Sequence, residues 1–298
     1  MAAGRCGRGH ACAFCELTST CRLDRKGHDS ALPGERLQQI RSIVMVLANK
    51  GGVGKSTVAA NIAAALAMSG LSVGLADVDV HGPNAARLAG IQGGRVRIRD
   101  SGIEPYLLAL GADLPTIKLA SLTFLLEDED APVVWRDAYK YDYIRQLFGS
   151  FNWGALDCLV LDMPPGTGNE LITSCDLLEG HPAFALLVTT PEAIALSDAI
   201  KAARFCEERD IPMLGVIKNM TAVTCPHCEH AFAIYPDHVA ESLLARIPGL
   251  EVLAQLPLSA ELASCCDQGE IIVAKRPEAE ISARFRQAAR LIRDKVHA

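Results

Sequence analysis

Apolar residues along this chain come in short unbroken runs rather than in long stretches or strict alternation. Residues 42–48 read Ser-Ile-Val-Met-Val-Leu-Ala, and 72–77, 156–162, 183–189, 213–218 and 251–256 repeat the type. Such a run is too short for a core helix and has no polar face. It predicts a strand covered on both sides, as inside a parallel sheet. Between the runs the pattern changes. Residues 57–68 are alanine-rich, hold no helix breaker and stop just before Gly70, which predicts a helix ended by a glycine. Further helices are predicted over 139–148, 192–209, 236–245 and 278–295. Strand, loop, helix, strand is the unit of a doubly wound fold. The predicted class is therefore α/β, a mostly parallel sheet with helices on both faces. The stretch 90–130 shows no clear period and is assigned no elements.

Residues 1–35 break this pattern. They are rich in Gly, Arg, His and Cys, lack apolar periodicity and close on Leu32-Pro33-Gly34. This predicts a short cysteine-rich extension at 1–35 and a main domain at 36–298. The 298 residues are 50% apolar, which supports a substantial core and excludes disorder as the main state. Lys and Arg number 29 against 35 Asp and Glu, a net charge of -6, so no basic field favours a nucleic-acid partner. The longest apolar runs fall far short of the ~20 residues that span a bilayer, and the first residues lack the apolar core of a secretion signal. The expectation is a cytoplasmic protein with no stable membrane association.

In that setting eleven cysteines, an odd number, point to reduced thiols and metal rather than to disulfides. Cys6, Cys12, Cys15 and Cys21 crowd the first stretch, and Cys225 and Cys228 form a Cys-Pro-His-Cys pair. Cys265 and Cys266 are adjacent, while Cys158, Cys175 and Cys206 stand alone. Cys158, in a predicted strand, and Cys206, in a predicted helix, read as core.

The strongest chemical signal is Asn49-Lys50-Gly51-Gly52-Val53-Gly54-Lys55-Ser56-Thr57, directly after a predicted strand and opening a predicted helix. This is the context of a phosphate-binding P-loop, although the strict pattern begins with Gly where Asn49 stands. Its glycines let backbone N–H groups face phosphates, Lys55 neutralises the β and γ oxygens, and Ser56 offers a hydroxyl to Mg²⁺. ATP and Mg²⁺ are the expected ligands. Asp162 ends a later apolar run before Met163-Pro-Pro-Gly-Thr-Gly168, the placement of a carboxylate that holds the Mg²⁺ shell ahead of a movable turn. Asp77 and Asp79 form a second acidic edge. Asp79 is the expected residue for orienting an attacking water, with turn capping as the alternative for both.

Lys50, a second lysine early in the loop, resembles the deviant P-loop of the MinD, ParA, ArsA and nitrogenase iron protein superclass. That resemblance implies a homodimer in which Lys50 reaches the phosphates bound by the opposite subunit, making Lys50, Lys55 and Asp79 the catalytic set. Over about residues 40–277 the chain looks like the Mrp/ApbC family of iron-sulfur cluster carriers. The likeness rests on Pro132-Val-Val-Trp-Arg136, Trp153-Gly154, Pro164 to Gly168, Thr189-Thr190-Pro191, and Asn219-Met220 followed by Cys225-Pro-His-Cys228. It implies that Asn219 contacts adenine and that Cys225 and Cys228 bind a cluster. Two such pairs at a dimer seam supply four ligands for a shared [4Fe-4S] cluster. By spacing alone the pair suits iron or zinc, with a redox dithiol as the rival.

Cys12-x2-Cys15-x5-Cys21, with Cys6 upstream, resembles the cluster-binding extension of the family's eukaryotic scaffold branch. The fourth ligand there is Cys6 or His10, and zinc competes with iron-sulfur. Lys218, Asp137 and Asn84 depart from the family pattern. The expected function is an ATP-dependent carrier with slow hydrolysis that delivers its cluster to apo-protein clients. Two alternatives stand beside it. One is a positioning ATPase using the C-terminal stripe of Ile281, Phe285, Ala288 and Ile292 beside arginines on anionic lipid. The other is an ATP-driven electron donor like the nitrogenase iron protein.

Overall fold

The computed structural model describes residues 6–126, 137–225, 227–228, 230–235, 245–247 and 250–297. The motif 132–136 and most of the predicted helix 236–245 lie outside the described residues. In chain order the strands are β1 (Ile43–Leu47), β2 (Val73–Asp77), β3 (Arg97–Arg99), β4 (Gly102–Glu104), β5 (Tyr106–Ala109), β6 (Thr116–Ala120), β7 (Cys158–Asp162), β8 (Ala183–Thr189), β9 (Met213–Lys218), β10 (Val223–Thr224), β11 (Ala231–Phe232) and β12 (Val252–Gln255). The helices are α1 (Arg25–Leu37), α2 (Lys55–Met68), α3 (Ala85–Leu88), α4 (Asp137–Gly149), α5 (Asn169–Leu178), α6 (Ala193–Glu208), α7 (Ala260–Asp267), α8 (Ile272–Lys275) and α9 (Glu280–Val296).

The main sheet runs β12-β9-β8-β1-β7-β2-β6-β5, parallel except for β5 at one edge. β1 lies between β7 and β8, with Val46 opposite Asp162 on one side and Leu186 on the other. Its residues divide with the period-two geometry of a strand. Val44 and Val46 join the core under α2 and α9, whereas Ile43, Met45 and Leu47 join the core on the opposite face. Two cores on two faces explain why the run has no polar position. Helix α2 is buried from Val58 to Ala67, and its alanines let it sit close to the sheet beneath α9.

Helix α9 presents Ile281, Phe285, Ala288 and Ile292 to that core, packed against α2 and β12. The apolar stripe weighed as a lipid-binding face is thus internal, and its arginines remain on the outside. No described helix is long and apolar enough to cross a membrane.

The Leu32-Pro33-Gly34 triplet, expected to close an extension, lies inside α1 instead. Asp24 caps that helix by accepting the Gly27 N–H at 3.0 Å. Leu32, Pro33 and Leu37 are buried as α1 packs on α4, where Gly149 approaches Leu32 and Pro33 so closely that a Cβ would sit 3.0 Å from each. Burial of that face offsets the roughly 3 kcal/mol that an interior proline costs a helix. Residues ahead of α1 are also tied down: Gly9 N–H donates to Asp100 O at 2.6 Å, and Arg36 Nη2 donates to Gly9 O at 2.8 Å. The stretch 90–130 holds two hairpins, β3–β4 and β5–β6. Their strands are three to five residues long, and β3 is wholly exposed, so neither period could register.

Candidate functional site

The C-terminal ends of β1, β2 and β7 meet at one edge, the usual ligand side of an open α/β sheet. Asn49 to Gly54 leave β1 there and turn into α2. Gly52 and Gly54 take φ of 80° and 86°, a left-handed backbone that side chains resist. At α2's first residue, Lys55 Nζ donates to Asp162 Oδ1 and lies 3.3 Å from Ser56 Oγ. Both ends of the pair are buried. The other oxygen, Asp162 Oδ2, is buried with no hydrogen-bond partner among the described residues. Burial pushes the Asp162 carboxyl up, against the pull of Lys55 and Ser56. An orphan carboxylate oxygen beside a hydroxyl suits a hydrated divalent cation, whose water would supply the missing donor.

Strand register sets Asp77 beside Asp162. Asp77 Oδ1 accepts the Asp79 N–H at 3.2 Å, and Oδ2 accepts the Ala85 N–H at 3.0 Å and the Ser121 hydroxyl at 3.3 Å. Its carboxyl is held well above the usual range by burial and by the charge of Asp162. Asp77 therefore shapes the loop that follows it. Asp79 Oδ1 caps the next turn, accepting the His81 and Gly82 N–H groups at 3.1 Å each. It also lines a cavity of about 480 Å³ shared with Lys55 and Ser56, so turn capping and a water-facing position coexist in one residue. Arg87, Cys266 and Asp267 line that cavity too. Sequence reasoning missed them; the unassigned Cys265-Cys266 pair was the one available signal, and Cys266 Sγ lies 3.8 Å from Thr57 Oγ1. A larger cavity of about 590 Å³ at the start of β8 includes no P-loop residue.

Lys50 is held within its own chain. Its Nζ donates to Glu192 Oε2 at 2.7 Å, and this bond raises the lysine pKa. Glu192, the N-cap position of α6, was not foreseen. Asn219 follows β9 and reaches under the P-loop, donating from Nδ2 to Val53 O at 2.9 Å while Oδ1 accepts the Met220 N–H at 3.0 Å. Its amide occupies the space that a Cβ at Gly54 would need. Met220 takes a φ of 56°, an uncommon conformation for a side-chain-bearing residue.

From Met220 the chain enters the β10–β11 hairpin that carries Cys225 and Cys228. Cys225 N–H donates to His230 O at 3.0 Å, which holds the turn closed. Backbone N–H groups of His227 and Cys228, with the Cys228 thiol, draw the Cys225 thiol below its usual range. Cys225 is half-buried and Cys228 exposed. A thiol favoured as a thiolate at a surface turn is suited to metal. By contrast, burial pushes Cys158 and Cys206 up to about 12 and Cys175 up to about 11. All three are buried core residues, ill placed as the separated ligands that the electron-donor alternative needs.

Cys6, Cys12, Cys15 and Cys21 are free and half-buried. Burial, a hydrogen bond from the thiol to the Asp29 carboxylate, the charge of that carboxylate and the nearby Cys21 and Cys6 push the Cys12 thiol up to about 11. His10 is buried, with Nδ1 3.1 Å from Ala11 O, and Ala11 N–H donates to Ser150 Oγ at 2.9 Å.

Residues 39–293 match the family described as ParA: NUBPL iron-transfer P-loop NTPase. An "Iron-sulfur cluster carrier protein" from Saccharolobus solfataricus is 36% identical over 250 residues, covering 84% of this chain and 82% of that protein. The "Cytosolic Fe-S cluster assembly factor NUBP1 homolog" of Brugia malayi is 33% identical over 293 residues, covering 96% of this chain and 93% of that protein. Among solved structures, the nucleotide-binding protein in complex with ADP from Archaeoglobus fulgidus superposes with a TM-score of 0.69 at 32% identity, over 85% of this chain and 95% of that one. With a match running from ahead of β1 into α9, this chain belongs to the NUBPL-type iron-transfer family of P-loop NTPases.

Proposed function

We propose that the protein is an ATP-dependent carrier of iron-sulfur clusters, working in the cytosol as a homodimer. Two Cys225–Cys228 pairs hold a [4Fe-4S] cluster between subunits and release it to apo-protein clients. The observation that carries this reading is the Asn219 bridge: one side chain grips the P-loop at Val53, and the chain continues through Met220 into the cysteine hairpin. A change at the nucleotide therefore has a short covalent path to the cargo.

ATP binding sets Lys55 a choice between Asp162 and phosphate oxygens. As Lys55 turns to the phosphates, Asp162 is freed for the metal shell with Ser56. Mg²⁺, when bound, neutralises charge on the β- and γ-phosphate oxygens. Asn49, Gly51, Gly52, Val53, Gly54 and Thr57 surround the phosphates from the loop. Lys50 exchanges Glu192 for the phosphates in the partner subunit, which couples dimer closure to ATP. Asp79 orients the attacking water and keeps hydrolysis slow, because one of its oxygens is already committed to the turn. The amino-terminal segment that carries Cys6, Cys12, Cys15 and Cys21 holds a second metal centre.

The test is anaerobic purification with iron, sulfide and zinc counted per chain, followed by transfer to an apo-ferredoxin-type acceptor. Cys225→Ser/Cys228→Ser is expected to lose the transferable iron and sulfide and to weaken the dimer. Zinc without sulfide in both proteins would overturn the carrier reading.

A further inference from the structure

Helix α1 brings two metal-binding side chains to the cysteine-rich segment. Ligand atoms of Cys12, His28 and Asp29 all lie within 4.8 Å of one another, half-buried. We infer that Cys12, His28 and Asp29 form a site for one tetrahedral transition-metal ion of the zinc class, with a neighbouring thiol or a water as fourth ligand. The inference rests on the reading of the amino-terminal segment as a metal centre, and it moves the nitrogen ligand from His10 to His28.

Three observations support it. Bonds of about 2.0–2.3 Å at tetrahedral angles put neighbouring S, N and O ligands about 3.4–3.6 Å apart, so a trio already within 4.8 Å closes around a single ion by about 1.4 Å or less per pair. Ligands of a cubane cluster bind different irons and stand wider apart. The donor mix agrees: one thiolate, one imidazole and one carboxylate suit zinc, whereas iron-sulfur clusters favour an all-thiolate set.

The second observation is orientation. His28 Nε2 lies 3.1 Å from His10 O, within reach to donate its proton there. Such a bond leaves Nδ1 with a free lone pair, the arrangement by which backbone carbonyls orient metal-binding imidazoles. Asp29 Oδ1 accepts the Cys12 N–H at 2.9 Å, which brings carboxylate and thiol together and leaves Oδ2 as the oxygen that would ligate the ion. The third observation concerns His10. Its ring is buried with Nδ1 against a backbone carbonyl, and it does not belong to the trio.

An ion here ties the amino-terminal segment to α1, and through α1 to α4 and the sheet. The test uses the full chain carrying Cys225→Ser/Cys228→Ser, so that the hairpin contributes no metal. After chelation, zinc or cobalt(II) is titrated and the cobalt spectrum recorded. One equivalent per chain with a tetrahedral thiolate spectrum is expected. His28→Ala and Asp29→Asn each weaken binding by at least about tenfold, the lower limit seen for disturbing even outer-shell partners, and each alters the spectrum. His10→Ala leaves the spectrum unchanged. Circular dichroism of the variants checks that α1 is retained. Unchanged binding in His28→Ala overturns this inference alone, as does an iron and sulfide centre that needs Cys6 and tolerates His28→Ala. A parent that binds no metal at all overturns the amino-terminal metal centre itself and this inference with it.

Discussion

At Asp77 the ordinary preference of a carboxylate for its charged form meets a fully buried site with a second carboxylate alongside. Its folded-state pKa stands well above 3.8, so the folded chain binds a proton more readily than the unfolded chain does. The stability this confers is complete at acid pH and is lost as pH rises from about 4 through the folded pKa. Asp77→Asn removes the titration. In urea denaturation across a pH series, the advantage of the native chain over Asp77→Asn is expected to shrink as pH rises; a constant difference would refute a raised pKa. Lys55 pairs with Asp162 in the structure, and in the proposed cycle it exchanges that partner for phosphate. Lys55→Ala is expected to abolish ATP-dependent cluster delivery while leaving cluster binding mostly intact. Undiminished delivery would sink the coupling. At this scale the motif residues were legible because P-loop chemistry demands local spacing. Glu192, 142 positions from its partner Lys50, was not legible, because no local pattern marks an ion pair closed by the fold.

Between strand and hairpin, Asn219 is the joint. Asn219→Ala leaves Val53 O without its buried donor, a loss of about 1–3 kcal/mol. It is expected to uncouple cluster transfer from nucleotide while cysteine-bound iron persists, measured as transfer rates with and without ATP. Equal ATP stimulation in the variant would contradict the joint. The C-terminal helix α9 behaves as core. Phe285→Ala should cost about 3–5 kcal/mol in denaturant unfolding, as buried aromatic truncations do. A change below about 0.5 kcal/mol, within the range of exposed sites, would return the stripe to the surface. The helix was read correctly from its period, but period alone does not say what covers an apolar face. Only the packing on α2 and β12 answers that.

For the whole molecule, the Lys50–Glu192 pair holds within one chain the lysine that the proposed dimer would have to release. Removing Lys50 takes a charge-assisted bond from the proposed trans contact and so weakens association. Lys50→Ala is expected to lose ATP-dependent dimerisation in light scattering while retaining nucleotide binding. A variant that still dimerises with ATP would place the lysine outside the seam. Exposed Phe232, in β11, and Ile234 and Tyr235 just after it follow the cysteine pair in the chain, so apolar area for the proposed second copy lies close in sequence to the ligands.

What the sequence determined by itself was whatever depends on neighbours along the chain: the buried strands, the alanine helix, the P-loop and the two cysteine groups. Each is a local pattern whose physical cause acts within about ten residues. What tertiary structure decided depends on residues far apart. It placed Leu32-Pro33-Gly34 inside α1 rather than at a terminator, with Leu32 and Pro33 buried because α4 covers them. It tied Asn219 to the P-loop, brought Cys266 and Asp267 to the nucleotide cavity, and set His28 and Asp29 against Cys12. Those contacts join segments by folding, and the energy that selects them is burial summed over the whole core, which no stretch of sequence displays alone.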